Sequence, residues 1–381
     1  MKRKTTELGL YCHIPFCAST CDFCAFYQEK PYRQDLDRYL DGMEQELDWI
    51  RLDRPIDTVF WGGGTPSLLP PKDLARLGEK VLAVAGQQPI EWTVEMAPST
   101  VKPDKLSVLK DLEVNRISMG VQSFQNSFLQ ELGRLHRPNQ IYKAYDWIRR
   151  AGFENVNVDL MIALPGQSEE DLKKDIAEAI RLGPEHLSVY CLTFEEDTAL
   201  WAKLSKGKIR QDVEKDAKLY ELCWKLLSDS GYQHYEISNF SKLGFECIHN
   251  LNTWRMKEWI GVGPSAASQY QNFRYRNPAD INDWLAKVDA EMVNREDVEQ
   301  LSPQSLLQDA IIFGLRLGKG ISVEELKGRF GNPEVDAFLS FLNSLVEEDL
   351  AHIQNGDRVY LTLKGKLLAD RIAVEMLLMA E

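Results

Sequence analysis

Tyr11-Cys12-His13-Ile14-Pro15-Phe16-Cys17-Ala18-Ser19-Thr20-Cys21-Asp22-Phe23-Cys24 follows directly from an apolar run, Gly9–Ile14, that reads as a β-strand. It sets three cysteines at C-x3-C-x2-C spacing, Cys17, Cys21 and Cys24. Three thiolates on one loop can wrap a single small metal centre. A [4Fe-4S] cluster has four iron corners, so three cysteines leave one iron without a protein ligand, where a small molecule with amino and carboxylate groups can chelate. Phe16, Phe23 and Phe26 would limit solvent access and tune the potential of such a centre. One alternative is zinc, with His13 as a fourth ligand in a Cys3His site. Another is chance clustering of structural cysteines. Cys12 is off the pattern, and strand alternation points it away from Tyr11 and His13. Cys191 and Cys223 fall in strand and helix patterns and read as core.

Outward from this loop, short β-rich runs alternate with helical patterns, as repeated βα units do. After Gly9–Ile14 the strands read as Thr58–Trp61, Glu91–Met96, Arg116–Val121, Val156–Ile162 and Leu187–Leu192. Between them lie amphipathic stretches such as 35–51, 71–85, 139–151 and 169–182. Several strands are apolar almost throughout, which suits a parallel sheet covered by helices. Six such units fit an open or partial (β/α) barrel better than a doubly wound sheet. The unusual residues follow the strands: CASTCDFC, GGGTP, EMAPST, QSF and LPGQ. In α/β barrels reactive groups gather at the C-terminal strand ends, so these loops should face one site.

From about Leu301 three helical stretches (303–317, 323–329 and 333–347) precede two short strands, 351–354 and 358–362, joined through Asn355-Gly356-Asp357, a good hairpin turn. A final helix reads as 364–379. Helices followed by a wing-like hairpin suggest a winged-helix module. Its residues 301–381 carry 8 Lys+Arg against 12 Asp+Glu, which favours a docking or lid role over DNA reading. The whole chain of 381 residues has a net charge of −13, so nucleic acid is an unsuitable main partner. At 44% apolar and 27% charged it reads as globular, not disordered or fibrous. No apolar run is long enough for a membrane span, and the N-terminus lacks the apolar core of a secretory signal. Seven cysteines, an odd number with three clustered, point to a reducing, cytoplasmic setting and to metal binding instead of disulfides.

The segment YCHIPFCASTCDFC and the loops after it resemble the radical S-adenosylmethionine (SAM) proteins. More narrowly, the chain resembles the group containing anaerobic coproporphyrinogen III dehydrogenases and the HemW-type haem chaperones. The resemblance implies an α/β fold: a partial (β/α)6 TIM-like barrel followed by a smaller, winged-helix-like HemN-type C-terminal domain. It divides the chain into a core over 1–240, a connecting segment over 241–300 and a C-terminal domain over 301–381. It implies a [4Fe-4S] cluster on Cys17, Cys21 and Cys24, with SAM on the open iron.

For SAM it implies Gly63, Gly64 and Thr65 of the GGGTP loop at the methionine end, and Glu95 closing the third strand. Gln122 at the end of RISMGVQSF would offer a donor and an acceptor. Arg134 in LGRLHRP would pair with the SAM carboxylate, with Arg137 its rival if the register slips. Asp159 in the apolar VNVDLMIALPG needs a specific partner, since an unpaired buried acid is costly, and the resemblance makes that partner SAM. Tyr11, Thr193 and Ala267 would complete the pocket. An electron from the cluster would enter the sulfonium, break a C–S bond and give an adenosyl radical, while the protein fixes geometry and excludes water.

Two features separate members of the group. The dehydrogenases carry a fourth cysteine two residues after the third, where this chain has Phe26, and a long segment before the first strand, where only ten residues precede Tyr11. Conversely, Cys247-Ile248-His249-Asn250-Leu251-Asn252-Thr253-Trp254 resembles the HNxxYW motif of the haem chaperones, which implies His249 as a haem ligand and Trp254 as a flat apolar surface for the porphyrin. Thr253 replaces the motif's Tyr, and Ala267 replaces a His common in the chaperones' next stretch. Cys247 is a second potential iron ligand. The expectation is a chaperone that binds haem or a related tetrapyrrole and passes it to an acceptor protein, with an electron donor such as flavodoxin or ferredoxin. The alternatives are a radical SAM enzyme of porphyrin biosynthesis acting on a tetrapyrrole, and a zinc-stabilised protein with no redox role.

Overall fold

The computed structural model describes residues 7–291 and 295–378. Six βα units come first: β1 (Leu8–Ile14), α1 (Arg33–Trp49), β2 (Thr58–Gly63), α2 (Pro71–Ala85), β3 (Glu91–Met96), α3 (Pro103–Asp111), β4 (Arg116–Gln122), α4 (Asn126–Glu131), α5 (Pro138–Arg150), β5 (Asn155–Ile162), α6 (Glu169–Leu182) and β6 (His186–Cys191). These strands pair in parallel and in sequence order. The partial barrel is as expected, and every strand boundary agrees with the sequence reading to within two residues. After α7 (Ala199–Ser205) and α8 (Val213–Asp229), the hairpin β7 (Gln233–Glu236) and β8 (Asn239–Ser241) adds antiparallel to β6.

Residues 241–300, expected as a connecting segment, instead extend the sheet. They carry α9 (Ile248–Trp254), β9 (Glu258–Val262), β10 (Ala267–Tyr270), β11 (Phe273–Arg276), α10 (Ile281–Asp289) and β12 (Glu296–Gln300). β9 pairs in parallel with β1, and β10 to β12 continue outward from it, so β12 and β7 form the two edges of one open twelve-stranded sheet.

The C-terminal module has α11 (Pro303–Arg316), β13 (Ile321–Ser322), α12 (Val323–Phe330), α13 (Asn332–Glu347), β14 (Ala351–Gln354), β15 (Arg358–Leu361), α14 (Leu363–Leu367) and α15 (Ala369–Leu378). Its three-stranded sheet, order β13-β15-β14, packs on its own apolar core of Leu307, Ile311, Val335, Leu342 and Met376. The single final helix expected from the sequence is broken: α14 ends at Leu367, Leu368 is non-helical and α15 starts afresh; Met379 lies outside the described residues. The module docks on the open side of the barrel, where the Gly318 amide donates to the Tyr235 carbonyl at 2.7 Å.

The two faces of the parallel strands differ. Val156, Val158 and Leu160 of β5 are buried in the main core, whereas Asn157 and Asp159 lie on the opposite, inner face. Thr93, Arg116, Ser118, His186 and Ser188 extend this polar interior. An apolar barrel would fill with interdigitated side chains; this one stays hollow and polar.

The base of the barrel is closed by the segment that opens α9. The Ile248 and His249 amides both donate to the Glu91 carboxylate at 2.8 Å, so a buried acid satisfies two helix N-terminal amides. Glu91 begins β3, beside Thr58 of β2 and Gly9 of β1. His249 fills the space above Gly9, where a Cβ would stand 3.0 Å from its Cε1. Glu91→Ala should lower stability by about 1–3 kcal/mol by stranding these donors, read as a lower urea midpoint at unchanged m-value. Glu91→Gln, which keeps one acceptor, should lose less.

Candidate functional site

The cysteine loop hangs from the C-terminal end of β1 and is tied to the glycine turn after β2. The Gly64 amide donates to the Ile14 carbonyl at 2.8 Å, and the Thr65 amide to the Phe16 carbonyl at 2.7 Å. A Cβ on Gly64 would meet the Phe16 carbonyl oxygen at 2.6 Å, so only glycine lets these backbones meet. On its other side the loop leans on the segment carrying Arg134. The Asp22 amide donates to the Leu132 carbonyl at 3.0 Å, and Gly133, at φ +70°, leaves room for the Asp22 carboxylate. Lys203 of α7 donates to that carboxylate at 2.7 Å, and Phe23 packs on a small apolar cluster with Leu132, Leu164 and Leu200.

This brings the three thiols together on one partly exposed loop. All seven cysteines are free. Cys17 Sγ lies 3.7 Å from Thr65 Oγ1, and the Arg134 guanidinium donates to Cys21 Sγ at 3.4 Å and to the Gly120 carbonyl at 2.7 Å. Burial pushes the Cys17 thiol up to about 11, and burial likewise raises Cys24, with Arg134 opposing both. A metal reverses that shift, because a coordinated thiol is deprotonated. The donor set of three thiols with an adjacent guanidinium fits a cluster with one open corner. In the Cys3His zinc alternative His13 would be the fourth ligand, and its Nε2 is buried without a hydrogen-bond partner. His13 Nδ1 faces the Tyr11 hydroxyl at 3.1 Å and its ring lies against Gly63. No three His, Cys, Asp or Glu side chains among the described residues converge on a single ion.

From this loop a cavity of about 1300 Å³ runs down the hollow barrel and out to the C-terminal module. Cys24, Gly64, Thr65, Glu95, Gln122, Arg134, Asp159 and Thr193 all line it, so most of the residues singled out for SAM share one space. Gln122 sits at a register shift at the end of β4 with φ +68°, a conformation that costs energy in a non-glycine residue and is met most often at functional sites. The QSF turn after it is pinned by Asp175 of α6, which accepts from Ser123 Oγ at 2.7 Å and the Phe124 amide at 2.9 Å. Asp159 finds protein partners in Asn157 Nδ2 at 2.7 Å and Ser118 Oγ at 3.4 Å. Burial, and secondarily Asp159, pushes Glu95 up to about 8, against the Gly63 amide and Arg116.

Tyr11 and Gly63 stand one layer behind the cavity wall. Tyr11 stacks on Phe60, which lines the cavity, and raises no wall of its own; Gly63 supports Glu95 from behind. Arg134 lines the cavity, whereas Arg137 is the N-cap residue of α5 at the surface.

Three expectations need correction. Ala267, on β10, is exposed and away from the cavity, because β9 separates its strand from β1. His249 is at the opposite end of the barrel from the thiols: it is 7% exposed, its Nδ1 meets Thr58 Oγ1 at 2.9 Å, and its ring packs on Phe60. Burial lowers its pKa to about 4. Its side chain does not line the cavity. Cys247 is wholly buried beside Glu91 and is no better placed. Cys191 packs against the main core, as expected, and also lines the cavity. Sequence reading also missed Tyr190 of β6, whose ring is 42% exposed yet lines the cavity beside Asp159, and Arg116, buried at its floor. The period-2 pattern of the strands places both on the inner face, but without a known barrel interior nothing marked that face as hollow.

The sequence model of the radical SAM superfamily matches residues 11–179, and that of the HemN C-terminal domain matches 301–368. The chain is 33% identical over 373 residues to the heme chaperone HemW of Lactococcus lactis subsp. lactis (strain IL1403), covering 97% of each chain. To the heme chaperone HemW of Bacillus subtilis (strain 168) it is 32% identical over 368 residues, 95% of this chain and 97% of that one. To that of Escherichia coli (strain K12) it is 37% identical over 269 residues, 69% and 70%. The structure of coproporphyrinogen III oxidase (HemN) from Escherichia coli, a radical SAM enzyme, superposes with a TM-score of 0.85 at 24% identity over 97% of this chain and 89% of that one, a likeness of fold.

After anaerobic reconstitution, Cys17→Ala, Cys21→Ala and Cys24→Ala should each lose iron and acid-labile sulfide together, while Cys223→Ala keeps both; zinc at one per chain without sulfide would refute the cluster. Glu95 gives a pH signature in the ligand-free protein. Its proton is held up to about pH 8 when folded but is released near the ordinary glutamate range when unfolded. Stability therefore falls as pH rises between those values. Glu95→Gln should remove that fall, so its Tm advantage over wild type grows from pH 5 to pH 8.5.

Proposed function

The chain belongs to the heme chaperone HemW family within the radical SAM superfamily, and on that premise we propose that it binds haem and hands it to an acceptor protein. We infer that it does so while holding a [4Fe-4S] cluster on Cys17, Cys21 and Cys24 with SAM beside it. The observation that carries this reading is the single continuous cavity from the thiol loop to the C-terminal module. At about 1300 Å³ it exceeds the roughly 300–1,000 Å³ of sites built for one small ligand.

In this reading Gly64 and Thr65 would hold the methionine end of SAM, with Gly63 behind them, and Arg134 would meet its carboxylate. Glu95 accepts ribose hydroxyls, and Gln122, Asp159 and Thr193 close the pocket. When bound, the cluster supplies an electron to the sulfonium. The chain's own part is to orient SAM and keep water out, which Phe60, Met161 and Leu192 on the cavity wall favour. Electrons come from a donor such as flavodoxin or ferredoxin, and the setting is the cytoplasm; no helix among the described residues is long and apolar enough to cross a membrane. The decarboxylating reading is the weaker one, because Phe26, 72% exposed at the cavity mouth, stands where a fourth cysteine would.

The test is anaerobic reconstitution followed by haem titration, SAM-cleavage assay and transfer to a haem-free acceptor on one sample. Haem uptake and transfer are expected. Vinyl products from coproporphyrinogen would overturn the order of the two readings. His249→Ala should lower Tm yet leave the haem spectrum unchanged; a lost or shifted Soret band would restore His249 as a ligand.

A further inference from the structure

The far end of the cavity is lined by cations of the C-terminal module, Arg316, Lys364 and Lys366. Two of them are held in place by aromatic rings of the barrel side. The Arg316 guanidinium lies 5.0 Å from the ring centroid of Trp254, which in turn packs on Phe313. Lys366 Nζ donates to His234 Nδ1 at 3.2 Å and stands 5.9 Å from the ring of Trp224. His234 is fixed to accept this bond: its Nε2 donates to the Ile237 carbonyl at 3.0 Å, and its ring stacks on Phe240. Aromatic faces position a cation without neutralising it.

Both cations are poorly compensated. Lys366 makes no ion pair among the described residues. The ion pair of Arg316 is with Asp370 at 3.3 Å, a carboxylate 98% exposed and therefore worth little. Arg316 Nε is buried and has no hydrogen-bond partner. Glu236 is the other acid facing this end. It is buried and accepts at Oε1 from Ser238 and Asn239, while Oε2 bonds neither cation. Burial lowers Lys366, a cost that an arriving anion offsets.

We propose that Arg316 and Lys366 form a carboxylate-binding end of the cavity, set by Trp254 and by His234 with Trp224, that takes the propionates of the carried tetrapyrrole. This rests on the haem-carrier reading. It gives Trp254 of the CIHNLNTW segment a positioning role: it holds the guanidinium that meets the ligand, and does not itself floor the macrocycle.

The experiment compares free acids with esters on the reconstituted, SAM-loaded full chain. Haem is followed by its Soret band and protoporphyrin IX by fluorescence, each against its dimethyl ester. Arg316→Met and Lys366→Met should each weaken binding of both acids about tenfold or more, the worth of one charge-assisted hydrogen bond, and leave ester and SAM binding unchanged. Trp254→Phe should keep more of the acid-over-ester preference than Trp254→Leu, with circular dichroism reporting intact folding. Acid binding unaltered in the Met variants, or acid and ester weakened alike, overturns the proposal. Acid-selective binding of protoporphyrin without transfer of haem would support the subsite and sink the chaperone reading alone. Wild-type protein that binds no tetrapyrrole acid would sink both.

Discussion

Two backbone hydrogen bonds, from Gly64 to Ile14 and from Thr65 to Phe16, hold the cysteine loop against the glycine turn, and the arrangement of the site depends on them. They fix the stem from which Cys17 projects and bring the Thr65 hydroxyl toward its sulfur. They also set the backbone at Gly63, from which the Glu95 carboxylate is supported. No side chain contributes to these bonds, so the local sequence has to avoid obstructing them. A Cβ at position 64 would collide with main chain, not with a flexible side-chain end, and that collision could be relieved only by moving the loop. The thiols, the guanidinium that bonds Cys21 and the acid of β3 thus form one unit whose parts come from different strands. Their common feature is position at the C-terminal end of a parallel sheet.

The opposite end of the sheet solves a different problem. A hollow polar barrel open at both ends would let water run through its interior. Here the base is filled by a neutral imidazole packed over Gly9 and by a helix whose first amides are capped by Glu91. The plug and the site are linked through the interior. Arg116, charged and buried, lies close enough to depress His249 and to moderate Glu95 and Asp159. A single buried guanidinium opposes several acids that would otherwise each face desolvation alone. This explains why a segment with the look of a metal-ligand motif can serve the fold: its His is needed neutral and tightly packed.

What the sequence disclosed follows from how far each signal extends. The parallel strands were legible because residues such as Val156, Val158 and Leu160 are buried against helices and leave an unbroken apolar impression, and the thiol loop because C-x3-C-x2-C is a local pattern. Local patterns do not say which end of a barrel a loop joins. His249 and Trp254 were therefore read as ligand and platform, although pairing of Gly9, Thr58 and Glu91 puts them at the base and at the module junction. Ala267 failed for the same reason, since its place depends on β9 lying between it and β1. Arg316, Lys366 and Tyr190 carried no pattern at all. They matter only because chain segments far apart in sequence close around one space, a property of topology and not of spacing. The break at Leu368 has no glycine or proline at the break itself to mark it in the sequence.

The C-terminal module is explained by the incompleteness of the barrel. Seven parallel strands, β9 and β1 to β6, leave the sheet open, and a site that must shelter a reactive centre cannot be open along one side. The module lies on that side and meets the main sheet through an isolated antiparallel bridge between Glu236 and Leu317. Its core takes in Met256 from outside the module, Leu367 packs on the main core, and the junction adds polar and aromatic contacts: Gly318 on Tyr235, Lys366 on His234, Arg316 over Trp254. Interfaces of this kind are held less firmly than a continuous apolar core, which suits a wall that a bulky ligand has to pass. Of the module's eight cations, three (Arg316, Lys364 and Lys366) line the cavity, which leaves an outer surface unsuited to a DNA reader. A winged-helix-like scaffold here lies against the open side of the barrel and presents three of its cations, Arg316, Lys364 and Lys366, to the cavity.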